Sequence, residues 1–119
     1  MNEILHAAFD LLDEKKGILT RVLDVSRVAT FTDHFIICTG ANQRHVQALA
    51  DDLEEKLRKA FGLKPSHVEG HSNAQWVLLD YFDFVVHIFS VEAREFYELE
   101  RLWADAVDVT PVPAAPRRD

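Results

Sequence analysis

Cysteine and long apolar runs are scarce in this sequence. Cys38 is the single cysteine among 119 residues, which excludes an internal disulfide framework and a thiolate-rich metal cluster. The longest uninterrupted apolar runs, 35–38 and 76–79, have four residues each and are too short for a membrane span. No basic and then apolar leader opens the chain, so we expect no secretion signal. These absences favour one ordinary globular domain in a reducing compartment.

Positive charge is also low. The chain has 13 lysines and arginines against 20 aspartates and glutamates, which gives a net charge of −7. Affinity for RNA or DNA comes largely from basic side chains that displace counterions from phosphates, and no run of such residues stands out. We therefore expect little direct nucleic-acid binding and favour a basic protein or a cationic ligand as the partner.

Glycine and proline are few, with four of each, and three of the four prolines lie after position 110. The segment 107–119 has no glycine, alternates proline with other residues and ends in charged residues. This pattern is typical of an extended, flexible tail. The sequence thus predicts one folded domain over residues 1–106 and a proline-rich flexible tail over 107–119.

Two segments carry apolar residues at helical spacing. In the first, Asn2 can cap the start of a helix and residues 15–17 can end it. In the second, Asn42 can cap the start and Gly62 the end. A third helix is predicted after Ser90, with an apolar face formed by Phe96, Leu99, Trp103 and Ala106.

Five segments have the short apolar patterns of strands, namely 18–25, 35–39, 66–69, 75–80 and 84–90. The last two are joined by a short link, which predicts an antiparallel hairpin, whereas the long connection through the second helix permits a parallel pair. The order of elements therefore predicts an α/β fold with a mixed five-stranded sheet and helices packed on it.

Two motifs contain residue types that serve phosphoryl-transfer chemistry. Residues 39–42 join a strand to a helix, where backbone N–H groups can hold an anion, but the further glycines or the lysine of nucleotide-binding loops are missing. Asp80 and Asp83 supply carboxylates that could hold a divalent cation, but their spacing does not place them on one strand face. A tight turn at Gly40 and turn roles for the aspartates are simpler, so we predict no catalytic residue and no cofactor.

A third motif, His67, Glu69 and His71, has the spacing of metal ligands on one strand face. Gly70 and the polar residues after His71 indicate that the strand ends before His71, and no fourth ligand lies nearby in sequence. Surface histidines are the simpler interpretation, so we predict no metal site. Cys38 lies in an apolar strand without a basic neighbour, which favours an inert buried thiol.

The hairpin predicted over 75–90 is apolar or aromatic on both faces, and one helix follows it. Three helices are few for covering both faces of a five-stranded sheet. Monomeric proteins rarely leave a large apolar patch without use. An uncovered patch rimmed by Asp80, His87 and Glu100 would therefore be a protein-binding surface.

Several linked stretches of the chain resemble the ribosomal silencing factors, or Iojap-related proteins. They are residues 32–40, 68–70, 76–81, 85–89 and 94–103, in the order and at the spacing of that family. The resemblance covers roughly residues 3–106. Motifs linked across a whole domain are more specific than any one of them.

This resemblance implies an α/β fold similar to nucleotidyltransferases but without their catalysis. Ala41 follows Gly40 where active nucleotidyltransferases have a serine. Family members bind large ribosomal subunit protein fourteen and sterically block joining of the small subunit, which lowers translation when nutrients are short. Some relatives are linked to late assembly of the large subunit, and some form homodimers. We therefore expect a cytoplasmic translational repressor, not an enzyme, that acts on the large ribosomal subunit and away from membranes.

The corresponding site hypothesis combines the hairpin with the helix after it. The apolar centre of the contact is assigned to Trp76, Leu78, His87 and Phe89. The polar rim is assigned to Asp80, Tyr81 and Glu100, with contributions from Tyr97 and Leu99 if their helix face is uncovered. The sequence leaves open which alternating face of the hairpin points outward. Two alternatives also stay open: a metal-dependent nucleotidyl or phosphoryl transferase using Gly40, Asp80 and Asp83, and a purely dimeric scaffold.

Overall fold

A computed structural model describes residues 2–98, 101 and 103–111 of the chain. Its helices are α1 (Glu3–Glu14), α2 (Gln43–Phe61) and α3 (Val91–Tyr97). Its strands are β1 (Ile18–Asp24), β2 (His34–Gly40), β3 (His67–Glu69), β4 (Trp76–Asp80), β5 (Phe84–Ser90) and β6 (Val107–Asp108). Among the described residues, none of the helices has the length and hydrophobicity needed to cross a lipid bilayer.

The two long helices begin and end where their sequences predict. The Asn2 side chain accepts a hydrogen bond from the Leu5 N–H at 2.8 Å, and the Asn42 side chain accepts one from the His45 N–H at 2.8 Å. Each bond satisfies a backbone donor that the first helical turn leaves unpaired. Gly62 ends α2 in the left-handed conformation, with φ of 64°, which glycine adopts at little cost.

The strands form one mixed sheet in the order β3-β4-β5-β2-β1-β6. β2 and β5 run parallel, because α2 returns the chain across one face of the sheet. The β4–β5 pair is antiparallel across a tight turn, which confirms the predicted hairpin. The mixed α/β architecture predicted from the order of elements is therefore confirmed.

The sheet has six strands within the described residues, so the prediction of five is wrong. The sixth, β6, lies at the start of the predicted tail and pairs antiparallel with Leu23 and Asp24 of β1. The Val22 N–H also donates to the Thr110 side chain at 2.9 Å. A strand of two residues has no periodicity to read, which is why the sequence pattern misses it. The rest of the predicted tail, 112–119, lies outside the described residues.

The last helix is shorter than its sequence predicts. α3 ends at Tyr97 because Glu98 adopts the left-handed conformation, with φ of 47°. The Phe96 side chain is 80% exposed instead of facing the core. Trp103 and Ala106 do pack on the core, although neither belongs to α3. No glycine marks this helix end, so it has no local signal in the sequence.

Two apolar clusters cover the two faces of the sheet. The larger joins α1 and α2 to one face, and its fully buried members include Leu5, Leu12, Ile36, Leu49 and Leu53. The smaller lies on the opposite face and includes Leu23, Val25, Phe35, Ile37, Val85, Phe89 and Ala93. Short segments cover this second face, and its edge at β4 stays partly open.

Candidate protein-binding surface

The open part of the sheet lies at β4. Val77 and Leu79 are fully buried in the larger cluster, on the face that α2 covers, whereas Trp76, Leu78 and Asp80 point to the opposite face and are only partly buried. This alternation is what a strand with one covered and one partly open face shows. Trp76 and Leu78 are therefore apolar side chains of the hairpin that a partner can reach.

His87 and Phe89 share this face but lie underneath it. In the β4–β5 register, Trp76 is opposite Phe89 and Leu78 is opposite His87. Both β5 side chains are buried in the smaller apolar cluster or beside it, because β5 is a central strand. Their assignment to the exposed centre of a contact needs correction: they support the surface from below.

His87 holds Trp76 in place through a hydrogen bond. The Trp76 Nε1–H donates to the His87 Nδ1 at 3.0 Å, so the neutral ring carries its proton on Nε2. Within the described residues, that buried Nε2 has no hydrogen-bond partner. Burial lowers the pKa of His87 from its ordinary 6.5 to about 4. The ring is therefore neutral at physiological pH and accepts the indole proton.

This buried histidine makes stability depend on pH. Its pKa is depressed in the folded state, so below pH 6.5 the unfolded chain takes up a proton that the folded chain does not. Between pH 7 and pH 5 the unaltered chain should lose about 2 kcal/mol more unfolding free energy than a His87→Gln variant. Urea unfolding of both proteins at the two pH values measures this difference, and parallel pH profiles would contradict the buried neutral ring.

Aromatic rings extend the surface from β4 onto α3. The Trp76 ring lies 4.8 Å from the ring of Tyr97 and 4.9 Å from that of Phe89, between ring centroids. Tyr97 is exposed and meets the exposed Phe96 edge to face at 5.0 Å. We call the accessible set Trp76, Leu78, Phe96 and Tyr97 the tryptophan surface. Rigid aromatic side chains of this kind are common anchors in protein interfaces.

Two shallow depressions flank the tryptophan surface. One of about 230 Å³ is lined by Glu69, Gly70, Trp76 and Leu78. The other, of about 420 Å³, is lined by Asn73, Gln75, Glu92, Ala93, Phe96 and Tyr97. The Trp76 ring borders the smaller one, and the Tyr97 ring in contact with it borders the larger one. A partner with two protruding side chains could thus be gripped on either side of this aromatic pair.

The rim of the surface carries negative charge. Glu69 lies opposite Leu78 in the β3–β4 register and lines the smaller depression, and Glu92 lines the larger one. Asp80 is on the same face as Leu78, and its carboxylate accepts a hydrogen bond from the Phe82 N–H at 2.8 Å. An apolar centre with acidic edges is complementary to a basic protein surface.

Tyr81 does not belong to this rim, contrary to the sequence-based assignment. It is buried in the larger cluster on the α1 and α2 side, where its ring stacks on Phe84 at 4.9 Å. Its hydroxyl has no hydrogen-bond partner among the described residues. Burial, and next the nearby Glu54 carboxylate, raise the pKa of that hydroxyl. Tyr81 continues the alternation of β4, because it lies on the buried face together with Val77 and Leu79.

Two further predicted residues, Leu99 and Glu100, lie outside the described residues. Two members of the site, Glu69 and Phe96, were not predicted from the sequence. Glu69 was considered only as a metal ligand, and its place beside Leu78 depends on the β3–β4 register. Phe96 was placed on a buried helix face, and its exposure follows from the early end of α3. Neither feature has a local signal in the sequence.

The residues of the transferase alternative have structural roles here. Asp80 stabilises the β4–β5 turn through its bond to the Phe82 N–H. A Cβ atom at Gly40 would come within 2.8 Å of the Val46 backbone nitrogen, so close packing against α2 requires the glycine. His71 pairs with Asp51 and His67 pairs with Glu69, so the histidine motif does not converge on one point. Among the described residues, no group of three or more potential ligands could hold a metal ion.

Comparison with known proteins gives consistent matches. The family model described as "Ribosomal silencing factor during starvation" matches residues 1–119. A ribosomal silencing factor of Halalkalibacterium halodurans is 37% identical over 107 residues, which cover 90% of this chain and 91% of that protein. One from Haemophilus influenzae is 41% identical over 95 residues, or 80% of this chain and 92% of that protein.

More distant and structural matches agree. The mouse protein named "Mitochondrial assembly of ribosomal large subunit protein 1" is 32% identical over 84 residues, which cover 69% of this chain and 37% of that protein. A crystal structure from Chromobacterium violaceum superposes with a TM-score of 0.82 at 34% identity, covering 98% of this chain and 95% of that one. A Bacillus halodurans structure gives 0.80 at 34% identity, covering 92% and 98%.

Proposed function

Because the chain belongs to the ribosomal silencing factor family, we propose that it binds the large ribosomal subunit through the tryptophan surface and keeps the small subunit from joining. The contact between the partly exposed Trp76 and the exposed Tyr97, bordered by carboxylates, is the observation that carries this proposal. Such a surface has the apolar centre and polar edge of a protein interface. Translation would fall because fewer complete ribosomes assemble.

We take the direct partner to be large ribosomal subunit protein fourteen. The name of the mouse relative associates that protein with the ribosomal large subunit, which supports the choice of subunit. Ribosomal proteins are typically basic, and this chain has a net charge of −7. Opposite charges speed the encounter and favour one orientation of the partners. A protein contact therefore suits this surface better than bare RNA does.

In this mechanism no covalent bond is made or broken. Trp76, Leu78 and Tyr97 contact the partner, and the His87 and Phe89 layer beneath fixes the position of the indole ring. Asp80 and Glu69 form the polar edge, and Leu99 and Glu100 remain proposed contributors. The Cα atoms extend over 34 × 31 × 31 Å. A body this thick on the joining face would hold the two subunits far beyond contact distance.

The proposal has three further parts. The fold is similar to that of nucleotidyltransferases, without their chemistry. The protein acts in the cytoplasm, where its bacterial relatives would meet ribosomes. The free protein forms a homodimer, which analytical ultracentrifugation can measure.

Co-sedimentation with separated ribosomal subunits tests the main proposal. We expect the protein to travel with the large subunit and not with the small one, and to reduce the yield of complete ribosomes when both are mixed. Equal binding to both subunits, or binding to neither, would contradict the proposal. Binding to the large subunit without any loss of complete ribosomes would reject the blocking step alone.

A further inference from the structure

A second pair of exposed aromatic residues lies at the other end of the sheet. Phe31 is 58% exposed and Phe82 is 73% exposed. Two hydrogen bonds join the loops that carry them: the Thr32 hydroxyl donates to the Phe82 carbonyl at 3.0 Å, and the Asp33 N–H donates to the Asp83 carbonyl at 3.1 Å. The two aromatic residues are thus held at neighbouring positions. We call Phe31, Phe82, Asp33 and Asp83 the turn patch.

Phe82 occupies a backbone conformation that suits glycine or asparagine better. Its φ is +74°, and the Asp83 N–H donates to the Tyr81 carbonyl at 2.9 Å across it. This bond closes a γ-turn of the strained kind around Phe82. A bulky side chain here costs stability, and the exposed ring gains little burial in return. Folding alone therefore does not account for a phenylalanine at this position.

Phe31 connects the turn patch to the face of the sheet that carries the tryptophan surface. Its ring lies 5.9 Å from that of Phe35 and 6.3 Å from that of Trp103. Phe35 belongs to the smaller apolar cluster on the same face as Trp76. One broad partner can therefore touch the tryptophan surface and the turn patch together.

The charged side chains of the turn patch are carboxylates that are available to a partner. Asp33 and Asp83 are both exposed, and neither carboxylate forms a hydrogen bond or ion pair within the described part of the chain. In the adjoining segment, hydrogen bonds from Ser26 lower the pKa of the Asp24 carboxyl, with smaller contributions from the nearby His34 and Arg27. Free carboxylates beside exposed rings attract a basic protein segment and repel nucleic-acid phosphates.

We propose that the turn patch is a second docking surface, which takes a basic protein segment of the large ribosomal subunit that also carries an apolar side chain. This inference rests on the proposed function, because it places the segment on the same subunit. The Phe31 and Phe82 rings contact the apolar side chain, and the Asp33 and Asp83 carboxylates face the basic groups. The contact adds affinity and fixes the orientation of the protein on the subunit.

A Phe82→Asn variant tests the aromatic part. Asparagine tolerates the left-handed backbone, so the thermal unfolding midpoint should equal or exceed that of the unaltered chain. Affinity for purified large subunits, measured by sedimentation at increasing protein concentration, should fall at least about tenfold. Leu19→Asn is the matched control, because Leu19 is 61% exposed with φ of +50° in the bulged start of β1, at the opposite end of the sheet. It should leave the affinity unchanged.

A double Asp33→Asn and Asp83→Asn variant tests the charge part. Its affinity for the large subunit should fall about threefold to tenfold, and its binding should respond less to added salt. Tighter binding of this variant would point to nucleic-acid phosphates and would overturn the proposed occupant.

The remaining outcomes separate this inference from the proposed function. Unaltered affinity of the Phe82→Asn variant overturns the docking surface and leaves the proposed function intact. A large drop in its unfolding midpoint also overturns it, because Phe82 would then be a structural residue. If Leu19→Asn weakened binding to the same extent, the effect would come from placing asparagine at a left-handed backbone position and not from loss of the Phe82 ring. That result would also overturn the docking surface. Failure of the unaltered chain to bind large subunits overturns both proposals.

Discussion

A Trp76→Ala variant is expected to bind the large ribosomal subunit at least about 30-fold more weakly than the unaltered chain, a loss of roughly 2 kcal/mol. The substitution removes the ring that lines the smaller depression and contacts Tyr97, which lines the larger one. Buried aromatic anchors near the centre of an interface carry a large share of its binding energy. Fluorescence titration with labelled protein and purified subunits measures the change.

Two companion variants separate lost contact from lost folding. Trp76→Ala also leaves the His87 Nδ1 without its donor, so some loss of unfolding free energy is expected, about 1–3 kcal/mol. Tyr97→Ala removes an exposed ring, should fold normally and should weaken binding as well. Trp76→Phe keeps an aromatic ring without the N–H group and should bind with intermediate affinity. Undiminished binding by both alanine variants would reject the tryptophan surface as the contact.

Gly70→Ala is expected to destabilise the fold by about 2–5 kcal/mol, the sum of a left-handed backbone cost and a steric clash. Gly70 has φ of +82°, and a Cβ atom there would come 2.0 Å from the Trp76 carbonyl oxygen. Backbone must move to relieve such a contact, and the nearest backbone is that of Trp76. The variant should therefore also lose affinity for the large subunit. At low temperature, where the variant stays folded, this loss should be larger than the unfolded fraction of the protein explains.

Gly62→Ala is the matched control for that experiment. Gly62 also has a left-handed backbone, with φ of 64°, but no described atom beyond its two chain neighbours lies within 4 Å of the added Cβ. It should cost about 1–2 kcal/mol from the backbone alone and leave binding unchanged. Chemical unfolding of both variants gives the difference, which measures the clash at Gly70. Equal destabilisation by the two substitutions would show that the Trp76 backbone yields without cost.

The parts of the fold that the sequence predicts are those with a long or chemically distinct pattern. α2 has nineteen residues with a regular apolar stripe, an asparagine cap and a terminal glycine, so its bounds are predicted to the residue. The β4–β5 hairpin has two apolar strands and a short link, Tyr81 to Asp83. β6 has two residues, and its pairing with β1 is a long-range contact that no local pattern encodes.

The candidate site shows the same division. The alternation of β4 correctly groups Trp76 with Leu78 and Asp80 on one face. It cannot show that His87 and Phe89 are buried beneath them, because their burial depends on β2, on the other side of β5. Tyr81 was assigned to the rim, although the same alternation groups it with Val77 and Leu79 on the buried face. The register of the strands and the burial of each face depend on the tertiary fold. Only the outline of the site could therefore be predicted from the sequence.

The order of the sheet has a further consequence for solubility. Its two edges are β3, with three residues, and β6, with two. Long, flat edge strands expose unpaired N–H and C=O groups and invite other chains to add on, as in amyloid fibres. The longer apolar strands β2 and β5 are shielded from such growth by their neighbours on both sides. A variant that lost β6 would also uncover Leu23 and Asp24, which leaves the outer edge of the seven-residue β1 open, and fibrillar aggregation would be the hazard to watch for.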